Sequence, residues 1–264
     1  MNKTLYAFGD SFCRYFWPMW PEIMGQCFQD FKNLGEPGCG NYRIFQKFNE
    51  CLPDINNLDV NNSTVIVQWT DPCRFDSFDK NYVWLGLGEE SAEVFYTNKK
   101  LYHLNSEELT VIKQLSYMVS VANFLHLLGI DWYYIFLNKA SYVQKYEFKQ
   151  NNIAHTIHNL QCKLAKFKDR IIDTDNLTSH MKKIKMPEKN CSYNGEPPFR
   201  DLHPTPIFTY SFIKENLSSK IENLNNDKML EYSKRIQNII ESTRIKKTYF
   251  LTKTHTQLME HCDD

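Results

Sequence analysis

The sequence predicts an α/β domain built on a parallel sheet. Short apolar runs alternate with helical stretches along most of the chain, which is the pattern of strand-helix-strand units. The residues best suited to chemistry follow the ends of those runs, where parallel sheets gather their ligands. Size agrees with this: 264 residues, 42% of them hydrophobic and 14% aromatic, are ample for a substantial core.

Lys3–Phe8 reads as the first strand and ends in the turn Gly9-Asp10-Ser11. Asp30–Leu34 reads as a second strand, followed by a glycine-rich turn over Gly35–Gly40. Asn41–Leu52 is helical by the spacing of Ile44, Phe45, Phe48 and Leu52. Thr64–Trp69 is a β-branched run bounded by polar residues and reads as a buried strand. Ser106–Leu128 opens on a Ser-Glu-Glu start signal, continues as a long apolar helix and stops at Gly129. Asp131–Leu137 is the next strand, Ile153–Phe167 the next helix, and Arg170–Asp173 a short last strand. Pro204–Lys220 and Asp227–Thr243 read as C-terminal helices, with Pro204 in the first turn. Residues 1–220 are expected to form the main domain, with a long insertion at about 72–105, and 221–264 a helical extension packed on it.

Charge narrows the functional classes. Lysine plus arginine and aspartate plus glutamate each number 31, so the formal charge is zero. A neutral chain is poorly suited to binding nucleic acid through its phosphates, or membranes through basic residues. No uninterrupted apolar run reaches the roughly 20 residues that span a bilayer. No basic start followed by an apolar stretch marks a secretory signal, so a cytoplasmic, reducing location is expected for the eight cysteines. There is no Cys-x-x-Cys pair. His155, His158 and Cys162 share a helical face, but without a fourth ligand no metal is expected.

The chemistry gathers in three places. Ser11 follows the first strand in a tight turn, where a serine can expose its hydroxyl and aim its own N–H into the same space. A free hydroxyl is a weak nucleophile and needs a base. Far downstream, Asp201-Leu202-His203-Pro204 offers one: His203 is of the residue type that most often serves as a general base, and Asp201 would orient its ring. Gly38 lies in the turn after the second strand. The aromatic cluster Phe16-Trp17-Pro18-Met19-Trp20 lies close to Ser11, and Tyr82, Trp84, Phe95, Tyr96 and Tyr102 lie in the insertion. Both clusters suit sugar rings or acyl chains, and both suit a local apolar core. Asp10 reads as a turn former, and Asn41 as either a helix cap or a polar group of the site.

These blocks together resemble the SGNH (GDSL-type) hydrolases, over Lys3 to about Leu217. Gly9-Asp10-Ser11 matches the family's first block, Asn33-Leu34-Gly35-Glu36-Pro37-Gly38 its second, and Asp201-Leu202-His203-Pro204 its last. The resemblance implies a three-layer α/β/α, flavodoxin-like fold with a mostly parallel central sheet. It implies a serine esterase, with Ser11 as nucleophile, His203 as base and Asp201 as its orienting acid, and with no cofactor or metal. The N–H groups of Ser11 and Gly38 would form part of the oxyanion hole. The third block departs from the family's Gly-x-Asn-Asp: the strand ends in Trp69-Thr70-Asp71-Pro72, and Asp71 falls where the amide donor belongs. An ionised aspartate cannot donate to an oxyanion, and one lost donor costs about 100- to 1,000-fold in rate. Either Asp71 is protonated, or Thr70, Arg74 or Asn41 donates instead, or the hole is weak. Trp17, Asn41, Trp69 and Arg74 are the candidate substrate-binding residues. The expected substrate is a small-molecule or glycan ester carrying a small acyl group. An O-acyltransferase with the same triad and a non-catalytic glycan-binding module are the alternatives.

Overall fold

The computed structural model of the chain describes residues 3–15, 18–52, 59–70, 75–78, 84–87, 107–137, 151–172, 189–191, 199–201, 203–222 and 224–242. Its elements are, in order, β1 (Thr4–Phe8), α1 (Trp20–Gly25), β2 (Asp30–Asn33), α2 (Asn41–Glu50), β3 (Ser63–Trp69), β4 (Phe75–Phe78), β5 (Trp84–Leu87), α3 (Glu107–Leu128), β6 (Asp131–Phe136), α4 (Asn151–Ala165), β7 (Lys189–Cys191), β8 (Phe199–Asp201), α5 (Pro206–Asn216) and α6 (Asn226–Ser242). The central sheet has the order β2-β1-β3-β6, all parallel. Ile171 adds one parallel bridge to Tyr134 outside β6, where the sequence suggested a short strand. β4 pairs antiparallel with β5, and β7 with β8.

Alternation along the strands sends side chains to both faces, and each face is covered by helices. Leu5, Ala7, Ile66, Tyr133 and Ile135 point to one side, against Trp20, Ile23 and Met24 of α1, Phe212 and Ile213 of α5, and Met229, Tyr232 and Ile236 of α6. Tyr6, Phe8, Val65, Val67, Trp69, Trp132, Tyr134 and Phe136 point to the other, against α2, α3 and α4. The result is a three-layer α/β/α domain. Trp20, Trp69 and Trp132 are among its largest fully buried side chains; burying a large apolar side chain contributes roughly 1.5–3 kcal/mol.

α3 explains a surprise of composition. Its stretch Leu109–Leu128 is long and apolar enough to cross a membrane. Here that helix is apolar because it is central: Val111, Leu115, Met118, Val121, Ala122 and Leu125 are buried against the sheet. Gly129, at φ +70°, lets the chain leave α3 and turn into β6.

The order of the strands places the site. From β1 the chain passes through α1 on one face to β2, then through α2 on the other face to β3. β1 and β3 are neighbours whose connections depart to opposite faces, so a crevice opens beyond their carboxyl ends. Ser11 lies at the end of β1 and Thr70 at the end of β3. α5 starts later than the sequence suggested: Thr205 is its N-cap and Pro206, rather than Pro204, opens its first turn.

Candidate active site

The turn after β1 is held from inside. Asp10 is fully buried. Its Oδ1 accepts the Phe12 N–H at 2.9 Å and the Gln68 Nε2 at 2.7 Å, and its Oδ2 accepts the Thr70 hydroxyl at 2.7 Å. Its carbonyl accepts the N–H groups of Cys13 and Arg14. The carboxylate therefore fastens the end of β1 to the end of β3, across the crevice. Gln68 is fixed in turn by Trp20 Nε1, which donates to its Oε1 at 2.7 Å. Ser11 follows Asp10 and is 6% exposed.

Cys13 is the packing centre of the same turn. A Cβ on Gly9 would come within 2.7 Å of the Cys13 Cβ, and one on Gly35 within 2.9 Å of the same atom, so both glycines are required for close approach. Burial pushes the Cys13 thiol well above its usual range, helped by the nearby charges of Glu22 and Asp10. It is a packing group, not a nucleophile.

The turn after β2 leans on this one. Leu34 N–H donates to the Ala7 carbonyl at 2.8 Å and Glu36 N–H to the Gly9 carbonyl at 2.9 Å. The side chain of Glu36 takes a two-pronged ion pair from Arg43 of α2, at 2.6 and 2.7 Å, and a longer contact from Lys47. Burial alone would push the Glu36 carboxyl up, but the bonds and charges of Arg43 and Lys47 bring it below its usual value. Gly38, two residues on, has φ +79° and nothing within 4 Å of where a Cβ would stand. Its conformation needs glycine, and its surroundings are open.

His203 comes to this edge from the far end of the chain. Its ring stacks on Tyr15 at 3.6 Å between centroids and 14° between planes, and leans on Phe12 at 4.8 Å. Phe12 follows Ser11 within the turn, and Tyr15 comes directly after it. Asp201 ends β8, two residues before His203. Asp71, Arg74 and Trp17 lie outside the described residues, as do Phe16, Tyr82, Phe95, Tyr96 and Tyr102 of the aromatic clusters.

Three expected site residues are structural instead. Trp69 is fully buried on the α3 side of the sheet, edge-on to Tyr134. Asn41 is 1% exposed. Its amide donates to the Thr70 carbonyl and to Gln114 Oε1, and its oxygen accepts the Thr70 N–H, so it clasps α2, β3 and α3 together. The helix cap expected of it is taken by Gly40. Thr70 spends its N–H on Asn41 and its hydroxyl on Asp10, so neither is available to an oxyanion.

Sequence reading missed the part that five residues play in the site's support. Gln68 was visible as a polar residue inside an apolar strand. Arg43 and Glu36 sit seven apart across a turn, a spacing no local rule pairs. Glu22 and Asn33 form a clasp: Asn33 Nδ2 donates to Glu22 Oε1 at 2.6 Å. Burial pushes the Glu22 carboxyl up to about 7, against the hydrogen bonds from Asn33 and the Met19 N–H and the charge of Arg14. Away from the edge, His155, His158 and Cys162 are exposed on α4, with Cys162 Sγ 3.5 Å from His158 Nε2. Among the described residues no three His, Cys, Asp or Glu side chains converge as a metal site would require.

No family model matches the chain, and no curated protein does. Among solved structures it is similar to a protein described as a member of the G-D-S-L lipolytic family from Desulfitobacterium hafniense DCB-2. The two share 12% identity at a TM-score of 0.37, over 89% of this chain and 99% of that one. So loose a superposition leaves the site to be read from its own geometry.

Proposed function

We propose that this protein is a serine ester hydrolase that removes small acyl groups, with a carbohydrate ester as the fitting substrate class. Ser11 Oγ attacks the ester carbonyl while His203 takes its proton, and Asp201 holds the imidazole and offsets its charge. The N–H groups of Ser11 and Gly38 receive the developing oxyanion. His203 then gives the proton to the departing alcohol, leaving an acyl group on Ser11. Water, deprotonated by His203, attacks that acyl group and releases the acid and the free serine.

The observation that carries this reading is the meeting of His203 with Phe12 and Tyr15, one and four residues after Ser11 in the chain. A histidine brought back to a buried serine turn just ahead of α5 is what general-base catalysis needs, and what a surface histidine before a helix would not do. The small acyl group follows from cover: a nucleophile 6% exposed admits a small carbonyl group more readily than a long chain. Asp10, Gln68 and Thr70 fix the turn but do not reach the reaction.

The test is hydrolysis of p-nitrophenyl acetate, butyrate and octanoate, and then of acetylated sugars, beside labelling by a fluorophosphonate. The wild type is expected to label and to prefer acetate. Ser11→Ala should lose the label and at least about 10⁴-fold in kcat. A wild type equal to Ser11→Ala on every ester, with no label, would sink the reading.

A further inference from the structure

Asn33, the last residue of β2, spends its amide on the site's two turns and on α1. Its Nδ2 donates to the Cys13 carbonyl at 2.9 Å and to Glu22 Oε1 at 2.6 Å. Its Oδ1 accepts the Gly35 N–H at 3.0 Å and the Cys13 thiol at 3.3 Å. Cys13 stands two residues after Ser11, and Gly35 three before Gly38. One side chain thus touches both turns that would supply oxyanion donors.

The orientation of that amide is dictated by its neighbours. Turned over, it would set its NH₂ against the Gly35 N–H and its oxygen against the Cys13 carbonyl, so that donor would meet donor and acceptor meet acceptor. Glu22 supports the same choice, because its Oε1 accepts from the Asn33 amide. Its other oxygen accepts the Met19 N–H at 3.0 Å, which ties the clasp to the start of α1. Cys39, in the second turn, adds a weaker link: its thiol donates to the Gly9 carbonyl at 3.7 Å.

We propose that Asn33 is a positioning residue that sets the Ser11 turn against the Gly38 turn, and that Glu22 holds its amide in the working orientation. The proposal rests on the esterase reading, since it matters only if the N–H groups of Ser11 and Gly38 act on one oxygen. A displacement of about 1 Å between such donors is enough to cost about 100-fold in turnover. Substrate contacts elsewhere would be untouched, so the loss falls on kcat rather than on KM.

The experiment measures kcat and KM on p-nitrophenyl acetate, the fluorophosphonate labelling rate and Tm for wild type, Asn33→Asp, Glu22→Gln and the double variant. Asn33→Asp replaces both donors and sets a second carboxylate beside Glu22. It is expected to lower kcat and the labelling rate about 10- to 100-fold at well below its Tm, with KM within about threefold. In the double variant the new amide at position 22 can donate to the new carboxylate at 33, and kcat should recover by about fivefold or more. Should Asn33→Asp not fold, Glu22→Gln alone carries the test, with an expected loss of about 3- to 10-fold in kcat. A labelled wild type whose variants match it in kcat, or lose only KM, overturns the role of Asn33. So does a double variant no better than Asn33→Asp. A wild type that neither turns over nor labels overturns the esterase reading and Asn33 with it.

Discussion

The turns after β1 and β2 lie side by side at one edge of the sheet and are held by opposite means. The first is filled: Asp10 is buried with three donors on its carboxylate, and Cys13 leaves no room for a Cβ on Gly9. The second is tethered: Glu36 is gripped by Arg43, its N–H by Gly9, and Gly38 beyond stands in open space. A nucleophile must be aimed and gains from a packed seat. A donor for a charge that appears only in the transition state needs a clear approach, so its turn is fixed from the ends. The lesson is that one site can require rigidity of two kinds, and that each fails differently.

The largest break should come in the filled turn. Asp10→Ala strands the Phe12 N–H, the Gln68 amide and the Thr70 hydroxyl in a buried place. The expected loss is about 3–4 kcal/mol in urea unfolding, with activity falling in parallel. A smaller break is Gly9→Ala, which drives a methyl to 2.7 Å from the Cys13 Cβ and 3.0 Å from the Gln68 Cβ. Overpacking of this kind costs about 2–3 kcal/mol, and a variant as stable as wild type would show that the seat is loose.

The two turns should also respond to pH in opposite senses. Glu22, beside the first, has its carboxyl raised to about 7 in the fold. Its contribution is therefore complete below the unfolded value near 4.5 and is lost as pH rises through about 7. Glu36, in the second, is lowered by Arg43 and Lys47. Its contribution is complete above the unfolded value and is lost as pH falls below it. Glu22→Gln should flatten stability between about pH 5 and 8, and Arg43→Met between about pH 5 and 3. The Glu22 effect is about 1–2 kcal/mol once partial exposure is allowed for, and the Glu36 effect carries the opposite sign. Denaturant titrations across pH check both signs; equal slopes in wild type and variant would remove the assigned group.

The same contrast explains what could be read from the sequence. β1, β3 and β6 were legible because an apolar run with turn residues at its ends is a local signal, and so was the Ser11 turn that follows β1. Gly38 was legible because only a few residue types tolerate its backbone. α1 was not: it has six residues, begins after Met19 rather than a usual cap, and its start is completed by the Glu22 carboxylate. Trp69 looked like a site residue because it ends a strand, and Asn41 because it follows the glycine-rich turn after β2. Which face of the sheet Trp69 takes depends on register, and what Asn41 meets depends on Gln114, far along the chain. Asn33 carried a faint signal, an asparagine two residues before a glycine, which suits an Asx turn. Its bonds to Cys13 and Glu22 are long-range, and no spacing rule shows them.

The smallest change in stability should be the most telling about the tethered turn. Gly38→Ala meets no atom, so its cost is the backbone alone: a φ of +79° is strained for any residue with a Cβ, by about 1 kcal/mol. If the turn keeps its conformation, Tm falls slightly and kcat is preserved, because the N–H stays in place. If the turn relaxes to negative φ, the N–H swings away and kcat should fall by about 100-fold, as for a lost oxyanion donor, while Tm hardly moves. The second outcome is expected, since tethers at Glu36 and Gly9 hold the turn's start and leave Gly38 free to relax. Steady-state kinetics and a melting curve on the one variant separate the two. Preserved kcat with a fall in Tm of several degrees would mean that the second turn is as rigid as the first, and the contrast between them would be gone.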